Sequence, residues 1–166
     1  MIMPIEYSMN GKFVLMFRST TFRQEVLKHC FASILGKIEL LDGSLAELNE
    51  SLENETKSSA GDKHETSRAM VQIEMENLSK QISRLKEQQQ ILRDIERQKP
   101  SSFVKEGSLV VLGKQILFVA IPLGKISVDG IEVVVLSVRS PLGQKLAGLK
   151  MNEEVEVNGS TFRIRI

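Results

Sequence analysis

Two carboxylates three residues apart are the strongest candidates for chemistry in this sequence. They are Asp62 and Glu65, in the stretch Gly61-Asp62-Lys63-His64-Glu65. Mg²⁺ is usually held by one or two carboxylates together with waters and a substrate phosphate. Two acids are too few for a tight private site, so they would complete a Mg²⁺ site that belongs to another macromolecule. The structural alternative is a capping box, in which Asp62 caps a helix and Glu65 is its third residue.

Other catalytic groupings are missing from the sequence. Its only histidines are His29 and His64, and its only cysteine is Cys30. They form no Ser/His/Asp, Cys/His or zinc-type pattern, and no phosphate-binding glycine motif is found. We interpret Cys30 as a small structural hydrophobe and both histidines as solvated. The chain is therefore predicted not to be an enzyme and to have no cofactor of its own.

Composition excludes several classes of protein. The net charge of +1 over 166 residues argues against a basic nucleic-acid wrapper, and we expect no sequence-specific DNA binding. A single cysteine excludes an internal disulfide and fits a reducing compartment, so we expect a cytoplasmic protein. No apolar run reaches the roughly 18 residues that span a bilayer, so no membrane association is expected.

Two stretches carry residues, all apolar except Gln89, at alternating spacings of four and three, the a/d pattern of coiled-coil helices. No proline interrupts either stretch, and Pro100 follows the second, where it would stop a helix. We call these residues the seam positions. They are Leu27, Phe31, Ile34, Ile38, Leu41, Leu45, Leu48 and Leu52 in the first stretch, and Val71, Met75, Leu78, Ile82, Leu85, Gln89 and Leu92 in the second.

The two sets of seam positions are mirror images about one point. Every seam position except Leu27 pairs with one in the other stretch so that the residue numbers add to 123, as Leu52 does with Val71. An antiparallel hairpin needs this symmetry because opposing layers must meet at one height. We predict such a coiled-coil hairpin over residues 21–99, turning between Gly61 and Asp62 with its tip near 57–65. A dimerising coiled-coil scaffold is the alternative.

The ends of the chain differ from this helical region. Residues 1–20 are interpreted as an N-terminal extension, either disordered or upstream of an alternative start such as Met16. After Pro100, short β-branched runs alternate with turn signals, and Asn158-Gly159 favours a type I′ hairpin. Ser140 and Pro141 suit the N-cap and first position of a short helix. We predict a small antiparallel sheet domain with one short helix over 100–166, and an α+β fold class.

Two segments resemble the Gre-type transcript-cleavage factors of bacterial RNA polymerase. The stretch Ser140-Pro141-Leu142-Gly143-Gln144-Lys145-Leu146-Ala147-Gly148, followed by Met151-Asn152-Glu153-Glu154-Val155-Glu156-Val157, is similar to the family's S-P-[LI]-G-x-x-L-x-G and G-D-E-V-type strand. The stretch from Gly61 to Glu65 is similar to the family's G-D-x-x-E. The resemblance covers Phe22 to Ile166.

This resemblance implies a fold and a function. The C-terminal domain would be FKBP-like and would dock near the rim of the polymerase secondary channel. The hairpin of a monomer would enter the channel, near the nascent RNA. Asp62 and Glu65 would help bind the second Mg²⁺, and the polymerase would hydrolyse the backtracked RNA. The residues assigned to polymerase binding are Ser140, Pro141, Leu142, Gly143, Leu146 and Gly148.

The tip departs from the family's pattern after Glu65. The family continues N-A-E-Y, whereas this chain has Thr66, Ser67, Arg68 and Ala69, and Arg68 reverses a charge. Polymerase binding without stimulated cleavage is therefore an alternative, and the chain would then be a non-cleaving regulator. A peptidyl-prolyl isomerase or chaperone is less favoured, since the last 64 residues offer only Phe103, Phe118 and Phe162 for an aromatic pocket.

Overall fold

The computed structural model describes residues 20–57 and 62–165, with side chains over 21–54 and 65–165. Of the N-terminal extension, only Thr20 lies within these residues, and it begins the first helix. The fold is α+β: two long helices precede a six-stranded mixed sheet and a short helix. The elements are α1 Thr20–Lys57, α2 Asp62–Arg97, β1 Leu109–Leu112, β2 Gln115–Ala120, β3 Gly124–Val128, β4 Ile131–Ser137, α3 Pro141–Leu146, β5 Glu154–Val157 and β6 Ser160–Arg165.

The chain divides into two compact units whose boundaries fall inside both long helices. One unit, the sheet unit, comprises residues 1–31 and 91–166, of which 20–31 and 91–165 are described. The other, the helical unit, comprises residues 32–90, of which 32–57 and 62–90 are described. The N-terminal end of α1 and the C-terminal end of α2 therefore belong to the sheet unit.

The apolar faces of α1 and α2 follow the seam positions. Every seam position is buried or half-buried, and most residues between them are exposed. In the helical unit, Ile34, Ile38, Leu78 and Ile82 are the buried seam residues. The predicted periodicity of both helices is thus confirmed. The residues that would close a coiled-coil hairpin, 58–61, lie outside the described part of the chain, and the hairpin remains a prediction.

The sheet has the strand order β3-β4-β2-β1-β6-β5. The prediction of a purely antiparallel sheet is wrong, because β2 and β4 run parallel, with Leu117 opposite Val134 and Ala120 opposite Ser137. The chain leaves β2, passes to the sheet edge as β3, and turns back so that β4 fills the place between them. Turn signals mark where the chain reverses, but they do not say which strands become neighbours.

Strand β3 carries little sequence signal, and it was not predicted. It lies at the sheet edge, where only Val128 is buried.

The turns that connect β3 to β4 and β5 to β6 were predictable from the sequence. Asp129 and Gly130 have φ of 51° and 78°, and Asn158 and Gly159 have φ of 52° and 75°. Positive φ at both central residues is what a type I′ hairpin requires, so the predicted Asn158-Gly159 hairpin is confirmed.

The core of the sheet unit centres on β2. Residues Ile116 to Ala120 are all buried, as expected of a central strand covered on both faces. One face contributes Leu117 and Val119 to an apolar cluster that also contains Leu146 of α3. The short helix is therefore anchored in the same core that fixes the central strand.

Candidate functional site

The predicted tip acids lie in the first turn of α2. This helix begins at Asp62, and Glu65 is an exposed residue three positions later. Carboxylates in a first helical turn interact favourably with the positive end of the helix dipole, whether or not they also bind a metal. Gly61 and the side chain of Asp62 lie outside the described residues. The pairing of the two carboxylates therefore remains a prediction.

The residues that replace the family's tip sequence continue the same helix. Thr66, Arg68 and Ala69 are exposed on α2. Arg68 follows Glu65 by three positions, a spacing that places both on one face of the helix. A cation on that face opposes the accumulation of negative charge that would attract Mg²⁺. The departure in sequence is therefore also a departure in the electrostatics of the tip.

The stretch of the chain on both sides of the predicted tip is acidic. Residues 42–76 contain nine acids and three bases, a net charge of −6. Since the whole chain carries +1, the remaining residues carry +7. Such an asymmetric charge distribution orients a protein in the field of a charged partner. It favours contact of residues 42–76 with a positively charged partner.

Ser140 organises the second predicted segment, because it caps α3. Its Oγ accepts a hydrogen bond from the Gly143 amide at 3.0 Å and donates to the Ser137 carbonyl at 2.7 Å. Pro141 occupies the first turn, as predicted. The hydroxyl thus satisfies one free amide of the helix and fastens the helix start to the end of β4.

Gly143 lies directly against the backbone that follows β4. A Cβ atom there would stand 2.8 Å from the Val138 Cα, closer than real carbon atoms approach. Leu146 is fully buried and Leu142 is half-buried against the same apolar cluster. These three residues hold α3 onto the sheet, so Gly143 and Leu146 would act on a partner through the position of the helix.

The outward side of this segment is polar and open. Pro141, Gln144, Lys145, Ala147 and Gly148 are exposed. Gly148 has φ of 82°, a conformation that suits a glycine just after the end of a helix. Its amide donates a hydrogen bond to the Val104 carbonyl at 2.8 Å. Of the residues assigned to polymerase binding, Pro141 and Gly148 are the most accessible to a partner.

The turn that precedes β5 contains a residue with a left-handed backbone conformation. Asn152 has φ of 70°, a left-handed conformation that glycine adopts most easily and asparagine tolerates. Its amide donates to the Ile164 carbonyl at 2.8 Å, and the Ile164 amide donates to the Glu153 carbonyl at 2.8 Å. Asn152 stands where the family's G-D-E-V pattern has glycine, and this backbone geometry explains why either residue type suits the position.

Arg23 has a structural role that the sequence did not reveal. Its Nε donates to the Gly107 carbonyl at 2.9 Å, and an Nη donates to the Ile95 carbonyl at 2.8 Å. The second bond adds to the one that the same Ile95 carbonyl accepts from the Gln98 amide at 3.1 Å, at the end of α2. Burial lowers the pKa of the guanidinium, which stays charged at any physiological pH. The only sequence signal was an arginine near a helix start, which is too common to interpret.

Cys30 and His29 are placed as the sequence suggested. Cys30 is fully buried, and burial raises the pKa of its thiol to about 12, so the thiol is protonated and unreactive at neutral pH. His29 is exposed, and the side chain of His64 lies outside the described residues. Among the residues that the structure describes, no three His, Cys, Asp or Glu side chains converge to hold a metal ion.

Comparisons with known proteins add no family assignment. No protein-family model matches the chain, and no curated protein matches it either. Within 20–57 and 62–165, neither long helix has an apolar stretch that could cross a membrane. The likeness to the Gre-type factors therefore rests on the tip stretch, the mirrored seams and the segment around α3.

Proposed function

We propose that this chain is a Gre-like factor of bacterial RNA polymerase. In this proposal the two long helices form an antiparallel coiled-coil hairpin that enters the secondary channel, one copy per polymerase, in the cytoplasm. The observation that carries the proposal is a coincidence of position. The Gly61-Asp62-Lys63-His64-Glu65 stretch, which resembles the family's tip, falls at the point about which the seam positions are mirrored.

The dimensions of the helices support a probe that reaches a distant site. Helix α1 has 38 residues and α2 has 36. At about 1.5 Å per residue, helices of this length extend over roughly 55 Å. Glu65 is exposed at the far end of α2, where a carboxylate can meet a partner without unfolding the helix.

The chemistry assigned to the tip is metal positioning. Asp62 and Glu65 would hold a Mg²⁺ that belongs to the polymerase active site, and neither residue would attack the RNA. A second Mg²⁺ activates water and stabilises the charge that develops during phosphodiester hydrolysis. The chain is in this sense an accessory factor without catalytic activity of its own. Its net charge of −6 over residues 42–76 would favour entry into a cavity that contains cations.

The sheet unit would supply the docking surface, with an FKBP-like fold. The outward side of the segment that starts at Ser140 presents Pro141 and Gly148 to a partner. Ser140, Gly143 and Leu146 hold this surface in place through the cap, the close backbone approach and the buried core contact. Binding and cleavage would then depend on different ends of the molecule.

The decisive experiment measures RNA shortening in stalled, backtracked elongation complexes. Wild-type protein is expected to accelerate shortening, and Asp62→Asn/Glu65→Gln is expected to lose that acceleration while still co-purifying with the polymerase. Glu50→Gln/Glu53→Gln is the matched control, since it removes two exposed acids of α1 and should cleave like wild type. Equal activity of wild type and the tip variant would exclude the metal role, and failure to bind polymerase would exclude the whole proposal.

A non-cleaving regulator is the second candidate, and the residues after Glu65 favour it. Thr66, Arg68 and Ala69 replace the family's residues, and Arg68 adds a positive charge beside the acids. Such a regulator would bind the polymerase and displace a cleavage factor without releasing an RNA fragment. Competition for the polymerase, measured with and without a cleavage factor, separates the two functions.

A further inference from the structure

A groove of about 370 Å³ lies between α1 and α2 in the helical unit. Leu41 and Leu85, both half-buried seam residues, form part of its lining, together with Leu40, which is 74% exposed. Lys37 of α1 and Arg84 of α2 stand at its sides. The groove therefore combines exposed leucine surface with two cations, one from each helix.

The two cations are available to an acidic partner. Among the residues that the structure describes, neither Lys37 nor Arg84 forms a hydrogen bond or an ion pair. The nearest residues along the groove side of each helix are uncharged. In α1 they are Ser33 and Ser44, and in α2 they are Asn77, Gln81 and Gln88. Glu87, three positions after Arg84, and Glu74, ten positions before it, are exposed acids of the same helix, and among the described residues neither forms an ion pair with Arg84.

The N-terminal half of α2 carries an exposed apolar patch with a negative charge, which complements the positive charge of the groove. Met70 is 68% exposed and Ile73 is 61% exposed, and both stand beside the exposed acid Glu74. Met70, Glu74, Asn77, Gln81 and Arg84 follow one another at spacings of four, three, four and three, so they lie along one side of the helix. The acidic apolar patch, Met70, Ile73 and Glu74, is thus on the same side of α2 as the groove.

We propose that the groove is occupied by the acidic apolar patch of a second copy of this chain. Two α2 helices that lie antiparallel about residue 79 would bring Arg84 of each copy to Glu74 of the other, and Ile73 of each copy to the leucines of the groove. The arrangement is a two-fold dimer in which every contact occurs twice, and it closes without forming a chain of molecules.

The composition of the groove favours a protein occupant over a nucleic acid. Single-stranded nucleic acids gain much of their affinity from bases stacked on aromatic side chains. Between Val26 and Pro100 the only aromatic residue is Phe31, which does not line the groove. Leucine surface with a cation at each side instead suits an amphipathic helix with apolar anchors and an acid.

The apolar contacts supply most of the affinity in this dimer. Exposed ion pairs contribute little by themselves but fix which residues face each other. A contact of a few side chains per copy predicts weak association in the micromolar range. The dimer would cover residues 70–88 of α2 and would therefore compete with any other partner that binds there. The inference does not rest on the proposed function.

Sedimentation equilibrium of the purified full chain, without polymerase, tests the dimer over a wide range of micromolar concentrations. Wild type is expected to show a monomer–dimer equilibrium. Leu40→Ser and Arg84→Glu are each expected to raise its dissociation constant at least about tenfold, which corresponds to about 1.4 kcal/mol. The double variant Arg84→Glu/Glu74→Arg is expected to restore wild-type association, because it exchanges the two charges.

The chain offers matched controls for both changes. Leu35→Ser removes a leucine that is 44% exposed, and Lys86→Glu reverses an exposed cation, and both positions lie on the other side of their helices. Neither control should change the dissociation constant, and circular dichroism should show equal helicity in all variants. A wild-type protein that stays monomeric overturns the proposal. The proposal is also overturned if Leu40→Ser and Arg84→Glu both dimerise like wild type, or if Arg84→Glu/Glu74→Arg does not restore association. Binding of added single-stranded RNA to a monomeric wild-type protein at the groove would overturn it as well.

Discussion

The guanidinium of Arg23 occupies the space that any side chain at residue 107 would need. A Cβ atom on Gly107 would stand 2.9 Å from an Nη of Arg23, and the glycine has φ of 89°. Gly107 thus leaves room for the cation and accepts a hydrogen bond from it. The first turn of α1, the last turn of α2 and the loop before β1 meet through this one side chain, all within the sheet unit.

Arg23→Ala is expected to lower the free energy of unfolding by about 2 kcal/mol, since two charge-assisted hydrogen bonds to backbone carbonyls are lost. Arg23→Lys should recover only part of this, because an ammonium group cannot reproduce the fork of a guanidinium. Urea denaturation measures both. Arg139→Ala, at an exposed arginine of a turn, is the control and should change stability by no more than about 0.5 kcal/mol.

Substitution of two glycines should have opposite effects. Gly143→Ala is expected to destabilise the sheet unit by about 2 kcal/mol, because its Cβ would meet the backbone of Val138 at 2.8 Å. Gly43→Ala lies in the interior of α1 with nothing within 4 Å, and it should stabilise the helix by about 0.5–1 kcal/mol. Thermal unfolding followed by circular dichroism distinguishes the two. A neutral Gly143→Ala would contradict the packing described for α3.

Loss of the N-cap of α3 should lower stability by a smaller amount, and a conservative substitution should restore it. Ser140→Ala is expected to cost about 1 kcal/mol, the usual effect of removing an N-cap hydroxyl. Ser140→Thr keeps both hydrogen bonds and should approach wild-type stability. Ser140→Asp can accept from the Gly143 amide but cannot donate to the Ser137 carbonyl, so it should fall between them. Chemical denaturation of the three variants checks this order.

The buried thiol of Cys30 should make stability depend on alkaline pH. Its pKa is raised from an ordinary value of 9.0 to about 12, so the folded protein retains a proton that the unfolded chain loses. This contribution is present below pH 9.0 and falls as the pH rises toward about 12. The decline in stability should be steeper for wild type than for Cys30→Ala, which serves as the control for other titrating groups. Thiol labelling at neutral pH should require unfolding, and rapid labelling of the native protein would contradict this environment.

Under the proposed function, Arg68 should limit transcript cleavage. Arg68→Glu replaces a cation one turn from Glu65 by the charge found in the family's tip, and it should increase the rate of RNA shortening in backtracked complexes. Lys80→Glu, an exposed site farther along α2, is the control and should leave the rate unchanged. A cleavage rate that is low in wild type and unaltered in Arg68→Glu would favour the non-cleaving regulator.

Local features of the chain were predictable because they depend on near neighbours in sequence. The seam positions identified the buried faces of α1 and α2, and Asn158-Gly159 identified a hairpin whose positive φ angles few other dipeptides tolerate. Ser140 and Pro141 located the start of α3 to the residue. Strand β3 escaped because an edge strand buries little, so only Val128 had to be apolar and buried.

The sequence by itself determined the two long helices, most of the strands and the positions of the tip acids along the chain, since periodicity, caps and turns act over a few residues. Only the tertiary structure decided that β4 lies between β2 and β3 and parallel to β2, because strand order depends on which faces bury one another. It also decided the role of Arg23, whose two acceptors are 72 and 84 residues away in sequence. Hydrogen bonds over such distances leave no local pattern, because they exist only once the helices and the sheet have packed.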